Sequence, residues 1–326
     1  MINVVNKSKY RNLCVIEKSI PIFSQDWWLD AVCGEENWDV IIIEKGGIIV
    51  AAMPYALVKQ WGFTVAGMPL LTQKLGPWIK YPDNQSYAKR LEYEKKIINK
   101  LIENLPHNIA RYTQNFDYSV TNWQPFYWNN FTQSTRYTYV IENLSDLNNI
   151  YKSMQSQTRK NIKKSLKFVH VEISNNIEEF YKINKMTFAR QGRCIPYSLE
   201  FLRKLDAALL EKHARRIYIA KDNEDRIHAA IYIIWDEDST YYLMGGGDPE
   251  LRNSGATSLL MWEAIKFAST VSKKFDLEGS MLEPVERFFR GFGTVQKPYF
   301  TISKTFDKRM RAVYIFRDMV NLLRGR

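Results

Sequence analysis

One stretch of the sequence combines the features of an anion-binding site. Residues 244–262 begin as a predicted β-strand, pass through three glycines and Arg252, and continue with Asn253-Ser254-Gly255-Ala256 at the start of a long predicted helix. Small residues at a helix start leave backbone N–H groups accessible, and the helix dipole favours an anion there. Arg252 adds a charge-assisted donor. The segment is therefore either a phosphate or pyrophosphate site or an ordinary turn in which Ser254 caps the helix.

Two carboxylates follow on the next predicted strand. Asp276 and Glu278 alternate with apolar residues, so an extended chain places both on one face. On the core side either carboxylate is a candidate general base, whereas on the outer side both are only solvated. Arg287 and Arg290 come next, on adjacent turns of a predicted short helix.

Other kinds of chemistry have little support in the sequence. The four histidines are isolated, and no Cys, His or carboxylate cluster has the spacing of metal ligands, so no metal is expected. Nucleophile-elbow, P-loop and dinucleotide-binding motifs are also missing from the sequence. These observations argue against hydride transfer, nucleotide hydrolysis and metal-assisted hydrolysis.

The balance of charge allows two interpretations. The chain has 326 residues, with 46 Lys+Arg against 35 Asp+Glu and a formal net charge of +11. Such a charge suits a merely soluble protein or one with an anionic partner. Residues 159–167 hold five cations and no acid on a predicted helix. They form either a solvated face or a phosphate-contacting edge, which makes Arg159 and Lys163 candidate substrate contacts.

Targeting signals are not apparent. The longest uncharged, mostly apolar run is Gly46 to Val58, thirteen residues, whereas a bilayer span needs about 20. The charged first twenty residues do not resemble a signal peptide, and three scattered cysteines suggest a reducing compartment. A cytoplasmic protein is expected. Residues 308–326 predict a basic helix whose apolar face, Ala312 to Leu323, either docks on the fold or lies on an anionic membrane.

The predicted elements form a repeat. A helix, a strand hairpin with a further strand, a long helix and a strand occur in this order twice, with hairpins at 39–58 and 216–235. The simplest account is an α/β (α+β) protein with two related halves, each a mixed sheet flanked by helices. The predicted divisions are residues 1–150, 151–306 and a C-terminal helix, 307–326.

The motifs in this repeat resemble a known family. The second half resembles the GNAT acyltransferase fold, and the twin arrangement resembles the FemABX-type transferases and related FemAB-like acetyltransferases. Three features carry the resemblance: Arg159-x-x-Ile162-x-Lys164, Asp276-x-x-Gly279-Ser280, and the FFRGFG sequence at 288–293 followed by Pro298-Tyr299.

The resemblance implies transfer of an acyl or aminoacyl group from acyl-CoA or aminoacyl-tRNA. The implied acceptor is an amine or hydroxyl of a cell-envelope precursor, peptidoglycan or polysaccharide. Donor phosphates would bind at 252–256, Arg290 would polarise the carbonyl, and Asp276 or Glu278 would act as base. The first half would hold the acceptor. Candidate substrate contacts elsewhere in the chain are Arg159, Lys163 and Tyr299.

Two positions depart from the family pattern. Thr257 stands where the acyl-CoA loop has Gly or Ala, and Phe289 stands where the tRNA-dependent branch has Lys. The sequence also offers no obvious nucleophile, which does not count against an enzyme, since such transferases work by positioning an amine against a carbonyl and stabilising the oxyanion. The alternative is a non-catalytic RNA- or phosphate-binding protein on a degenerate GNAT scaffold.

Overall fold

The computed structural model describes residues 3–279 and 281–323. Ser280 of the predicted Gly-Ser motif and residues 324–326 of the C-terminal segment lie outside the described residues. The helices are α1 Val4–Ile16, α2 Asp26–Cys33, α3 Tyr87–Glu103, α4 Gln124–Trp128, α5 Leu147–Ser153, α6 Ser156–Ser165, α7 Ile177–Arg190, α8 Leu199–Glu211, α9 Ala256–Ala268, α10 Glu283–Arg290 and α11 Lys308–Leu323. The strands are β1 Trp38–Lys45, β2 Ile48–Gln60, β3 Phe63–Gly67, β4 Trp78–Ile79, β5 Arg111–Asn115, β6 Thr132–Ile141, β7 His170–Ser174, β8 Arg215–Lys221, β9 Ile227–Trp235, β10 Ser239–Gly247, β11 Lys274–Asp276 and β12 Val295–Thr305.

The chain divides into two compact units. Unit 1 comprises residues 1–135 and 299–326, and unit 2 comprises residues 136–298. These bounds differ from the predicted 1–150 and 151–306. The reason is that the divisions fall inside β6 and β12, whose pairing depends on residues distant in sequence. Residues 301–305 of β12, for example, pair with β5 of unit 1.

Unit 1 is a mixed sheet in the order β1-β2-β3-β5-β12. Its pairs are antiparallel except β3 with β5, which are parallel and connected through α3. The apolar face of α3 packs through Ile97, Ile98 and Leu101 into a core that includes Met53 and Phe116. This core explains why α3 forms at the predicted position.

Unit 2 repeats the plan with the order β6-β11-β10-β9-β8-β7. Again one pair is parallel, β10 with β11, and it is connected through α9. Leu259, Leu260 and Ile265 of α9 are fully or almost fully buried against Ile231 and Ile233 of β9. The predicted arrangement of two related halves, each a mixed sheet flanked by helices, is confirmed.

The basic segment forms two helices where one was predicted. Residues 148–168 contain α5 and α6, and Met154 and Gln155 between them are extended, with ψ values of 147° and 146°. The Gln155 N–H donates to the carbonyl of Gly291 at 2.9 Å, a contact 136 residues away in the chain. A hydrogen bond of this range is invisible to helical periodicity, so the sequence pattern missed the break.

The C-terminal helix is present, but its orientation differs from the docking expectation. α11 packs on unit 1 through Met310, which is fully buried, and Tyr314, which contacts the cluster of Val65 and Ala110. The predicted apolar face is exposed instead: Val313, Phe316 and Met319 are 40%, 64% and 52% accessible. Asp307 caps the start of α11, since its carboxylate accepts from the N–H groups of Arg309 and Met310.

Candidate functional site

The candidate site lies where the two parallel strands of unit 2 separate. β10 pairs with β11 only over Ser239–Tyr241, opposite Lys274–Asp276. Beyond this point β10 continues to Gly247 beside β9, while the N–H of Leu277 donates to the carbonyl of Tyr139 in β6. A cavity of about 500 Å³, here called the unit 2 cavity, lies along the separated part of β10.

The unit 2 cavity is apolar on the side of α10 and cationic around the start of α9. Val285, Phe288 and Phe289 of α10 supply apolar side chains. Arg190 at the end of α7 and Arg252 before α9 also line it, and both side chains are exposed. Neither arginine forms an ion pair within the described residues, so both charges are available to an anion.

The predicted anion-binding segment lies on this cavity. Arg252–Ser254 form a short 3-10 turn, and Arg252, Ser254 and Ala256 line the cavity, together with Thr257. The N-cap of α9 is Gly255 and not Ser254, because Gly255 adopts a left-handed conformation with φ of 80°. The first N–H groups of α9 have no intrahelical acceptor. The N–H of Ala256 donates to the hydroxyl of Ser254 at 3.4 Å, and Thr257 brings the next N–H to the cavity wall.

Gly255 is also required by packing. A Cβ atom at this position would lie 2.9 Å from the carbonyl oxygen of Asn161 in α6. The Lys164 ammonium of α6 donates to the carbonyl of Asn253, so α6 also contacts this segment two residues before Gly255. A substitution at Gly255 would therefore disturb the fold before it tested ligand binding.

β10 continues through the three glycines, where close neighbours leave no room for larger side chains. β10 was predicted to end near Met244, but Gly245–Gly247 pair with Ala229–Ile231 of β9. A Cβ at Gly246 would lie 2.6 Å from the carbonyl oxygen of Ile183 in α7. A Cβ at Gly245 would lie 2.0 Å from the hydroxyl oxygen of Tyr242.

Tyr242 is a cavity residue that the sequence did not single out. Its ring packs edge-on against Phe289 with centroids 5.8 Å apart, and its hydroxyl lies over Gly245. Burial raises the pKa of Tyr242, so the phenol keeps its proton near neutral pH. It can therefore donate a hydrogen bond to an oxygen that gains negative charge.

The three predicted catalytic residues lie outside the cavity lining. Asp276 is 1% exposed, and its carboxylate accepts from the hydroxyl of Thr138 and from the N–H of Glu278. Glu278 is buried too, but its φ of 63° breaks the predicted alternation after β11. Arg290 pairs with Glu286 at 2.8 Å, and the hydroxyl of Tyr139 donates to the same carboxylate oxygen.

The three predicted substrate contacts have different environments. Arg159 donates to the carbonyls of Lys152 and Met154, and so caps the end of α5. Lys160 and Lys163 are exposed on α6, and Lys167 is exposed in the turn that follows this helix. Tyr299 lies in unit 1, where it is 7% exposed within β12.

Unit 1 contains a cavity of about 320 Å³ at the equivalent place, beyond the ends of its parallel strands β3 and β5. The sequence Leu75-Gly76-Pro77-Trp78 forms part of its wall. Glu94 of α3 also lines it and accepts from the hydroxyl of Tyr81 and the amide of Asn122. Aromatic, hydroxyl and carboxylate groups make this cavity polar and different from the unit 2 cavity.

Two further searches covered only the described part of the chain. Within residues 3–279 and 281–323, no group of three or more His, Cys, Asp or Glu side chains is arranged to hold a metal ion. None of the described helices is long and apolar enough to cross a membrane.

Comparison with known proteins agrees with this architecture. The sequence model of a family described as "Acetyltransferase (GNAT) domain" matches residues 152–277, which lie within unit 2. Among solved structures, FemX superposes with a TM-score of 0.65 at 13% identity, over 90% of this chain and 95% of that chain. No curated protein sequence matches the chain.

Two other solved structures are similar over nearly their full lengths. The L-PGS structure from Bacillus licheniformis has a TM-score of 0.54 at 11% identity, covering 97% of this chain and 96% of that chain. A tandem GNAT protein from the clavulanic acid biosynthesis pathway has a TM-score of 0.52 at 10% identity, covering 92% and 94%. At such low identities these similarities establish the fold.

Proposed function

We propose that this FemABX-like acyltransferase of the GNAT superfamily takes an acyl group from a phosphate-bearing carrier, acyl-CoA or aminoacyl-tRNA. The acceptor that we propose is an amine or hydroxyl of a cell-envelope precursor, from peptidoglycan or a polysaccharide. The observation that carries the donor assignment is the unit 2 cavity, where Arg190, Arg252 and the start of α9 meet. Two free arginines and a helix N-terminus together favour phosphate groups.

The chemistry needs little more than positioning. The acceptor nitrogen or oxygen attacks the donor carbonyl carbon, the bond from that carbon to the carrier breaks, and the acceptor proton passes to the leaving group or to solvent. Holding the reactants together supplies much of the rate enhancement. We assign stabilisation of the carbonyl oxygen to Tyr242 in preference to Arg290, because Tyr242 lines the cavity and Arg290 is paired with Glu286.

Two features support the remaining assignments. The exposed lysines of α6 suit the backbone of a polynucleotide, which keeps aminoacyl-tRNA as a donor beside acyl-CoA. The polar cavity of unit 1, with Glu94 and Tyr81, is our candidate for acceptor recognition. Asp276 and Glu278 remain candidates for the base if substrate binding brings the acceptor close to the end of β11.

Arg252→Ala is expected to weaken donor binding about tenfold, because one charge-assisted hydrogen bond to phosphate contributes about 1.5–3 kcal/mol. Calorimetric titration with acetyl-CoA and gel-shift titration with aminoacyl-tRNA measure the effect for each donor. Arg203→Ala is the matched control, since Arg203 is an exposed cation of α8 that pairs with Glu178 and does not line the cavity.

The outcomes separate the alternatives. Equal binding by Arg252→Ala and the wild type would contradict the donor site. Binding that depends on Arg252 without transfer to any amine or hydroxyl acceptor would favour the non-catalytic phosphate- or RNA-binding protein. Saturable binding of one donor alone identifies the carrier.

Phe316→Ser is expected to lower binding to phosphatidylglycerol vesicles about tenfold, since burial of a large apolar side chain contributes about 1.5–3 kcal/mol. The reason is that α11 exposes Phe316 and Met319 close to Arg309 and Arg317, as an interfacial helix does. Vesicle co-sedimentation measures this binding. Ile173→Ser removes an apolar residue of β7 that is 61% exposed and lies outside α11, and it serves as control; an equal loss from both variants, or no vesicle binding, contradicts membrane contact.

A further inference from the structure

The unit 2 cavity has two chemically different ends, and the strand between them gives their order. At the cationic end, a Cβ atom at Gly247 would lie 3.9 Å from the Oγ1 atom of Thr257, at the start of α9. At the other end, the hydroxyl of Tyr242 lies over Gly245, and the tyrosine ring packs against Phe289 of α10. All five residues line the cavity, which therefore runs along β10 from the start of α9 to α10.

The apolar end is formed by side chains that the protein covers only in part. Val285 and Phe288 of α10 line the cavity and are partly exposed, and Phe289 beside them is buried. The Phe288 ring packs edge-on against the buried Phe292, with centroids 5.1 Å apart, which holds it in place. A ligand group that removes such apolar surface from water gains free energy. A single methyl group would leave most of this surface uncovered.

The charges that line the unit 2 cavity have one sign. Arg190 and Arg252 line it, whereas none of the described residues that line it is an Asp or a Glu. On α10, Glu286 pairs with Arg290 at 2.8 Å and Glu283 is exposed, and both lie outside the lining. An ammonium group on the acyl part of a donor would add a positive charge to this cavity, with no carboxylate in the described lining to compensate for it.

We propose that the donor carries an uncharged, apolar acyl group longer than acetyl, which binds against Val285 and Phe288 while the phosphates of its carrier bind at Arg252. This inference rests on the proposed donor site and names the class of acyl group that the site takes. With the carbonyl oxygen at Tyr242, the acyl chain extends away from the phosphate end towards α10. Such a donor matches the cavity at both ends, whereas an aminoacyl group matches it only at the phosphate end, so acyl-CoA is favoured over aminoacyl-tRNA.

Matched thioesters test the proposal on the full chain. Butyryl-CoA has two methylene groups more than acetyl-CoA, and their burial is expected to make it bind about tenfold more tightly. β-Alanyl-CoA has the size and shape of butyryl-CoA but carries an ammonium group in place of the terminal methyl group. It is expected to bind at least about tenfold more weakly than butyryl-CoA, because the ammonium group loses hydration without gaining a partner. Calorimetric titration with each thioester, and with CoA alone, measures these ratios.

Val285→Asp is expected to reverse this selectivity. Val285 is the third residue of α10, where the helix dipole favours an acidic side chain, so the helix is expected to form in the variant. We expect butyryl-CoA to bind about tenfold more weakly and β-alanyl-CoA about tenfold more tightly than to the wild type. CoA alone, which has no acyl group, is expected to change by less than about threefold. A misfolded protein loses all three ligands together, so misfolding cannot produce this reversal.

Two further variants serve as controls for size and for charge. Val285→Asn introduces a side chain of the same size as aspartate without its charge. It is expected to weaken butyryl-CoA as Val285→Asp does, but without the gain for β-alanyl-CoA. Leu210→Asp adds the same charge at an exposed apolar residue of α8 that lies outside the cavity lining, and it is expected to keep the wild-type ratios. Wild-type ratios in Val285→Asp as well would overturn the inference.

Failure of the inference differs from failure of the donor site. Equal affinities for acetyl-CoA, butyryl-CoA and β-alanyl-CoA, all weakened by Arg252→Ala, overturn the inference and leave the donor site intact. Transfer of an aminoacyl group from aminoacyl-tRNA, slowed by Arg252→Ala, has the same meaning. If neither the thioesters nor aminoacyl-tRNA bind, or if their binding does not depend on Arg252, both proposals fall. Tighter binding of butyryl-CoA to the wild type, with the reversal in Val285→Asp, supports the inference.

Discussion

Thr257→Glu is expected to lower the affinity of the unit 2 cavity for a phosphodiester about 100-fold while leaving the stability of the protein unchanged or slightly higher. Thr257 is the second residue of α9 and lines the cavity. A carboxylate about 5–6 Å from a phosphate, at an effective dielectric constant of about 20, opposes binding by about 3 kcal/mol. That energy corresponds to about 100-fold in affinity.

The opposite sign of the two effects makes this variant informative. In the first turn of a helix, an acidic side chain is favoured by the helix dipole, by about 0.3–1 kcal/mol. Loss of affinity therefore cannot be attributed to unfolding. The matched variant Thr257→Gln has the same size without the charge and is expected to bind within a few-fold of wild type. Calorimetry with acetyl-CoA, beside thermal unfolding, measures both quantities.

A loss of equal size in Thr257→Gln and Thr257→Glu would point to steric blockage in place of repulsion. No loss in either would exclude the start of α9 from the phosphate site. Thr257 is also the residue that stands where the acyl-CoA loop of the resembled family has Gly or Ala. In this structure the threonine lines the cavity.

Asp206→Ala is expected to destabilise unit 2 by about 3–5 kcal/mol, the usual effect of breaking a buried ion pair by removing one partner. Asp206 of α8 is 5% exposed and Arg215 of β8 is 7% exposed. The guanidinium Nε and Nη2 atoms lie 2.9 and 3.0 Å from the two carboxylate oxygens, and the hydroxyl of Tyr232 donates to the same carboxylate at 2.7 Å. Removing the carboxylate leaves a cation and a phenol buried without their acceptor.

Urea unfolding measures the loss, and hydrogen exchange of β8 and β9 amides attributes it to unit 2. Glu178→Ala is the matched control because its ion pair with Arg203 has side chains 51% and 53% exposed. Exposed pairs contribute about 0–1 kcal/mol. Asp206→Asn keeps an acceptor for Tyr232 and is expected to lose less than Asp206→Ala. Equal, small losses from Asp206→Ala and Glu178→Ala would contradict the structural role of the buried pair.

Elements with strong local patterns were predicted well. The predicted hairpin at 216–235 agrees with β8 and β9, Arg215–Lys221 and Ile227–Trp235. In β9 the residues are almost all buried, because a continuous apolar run has to lie inside the sheet. The extension of β10 through Gly245–Gly247 was not predicted, since glycine disfavours strands and only the approach of α7 accounts for it.

The cavity shows the same division between local and distant effects. Arg252 and the start of α9 are predictable because residues consecutive in sequence form the feature. Tyr242 and Arg190 come from other elements, and their presence in the cavity depends on how α7 and α10 pack against β10. His228 was set aside as isolated, although Asp222 lies six residues earlier across a hairpin turn. An Asp and a His flanking a predicted hairpin are the signal that could have found this pair.

By itself, the sequence determined the α/β class, the twofold repeat of elements and the glycine-rich turn that leads into α9, because periodicity, turn residues and helix caps act over a few residues. Only the tertiary structure decided two other features: that Arg159 caps α5 and that α11 exposes Phe316. Each depends on contacts or burial that arise when distant segments pack, and such packing leaves no pattern in the local sequence.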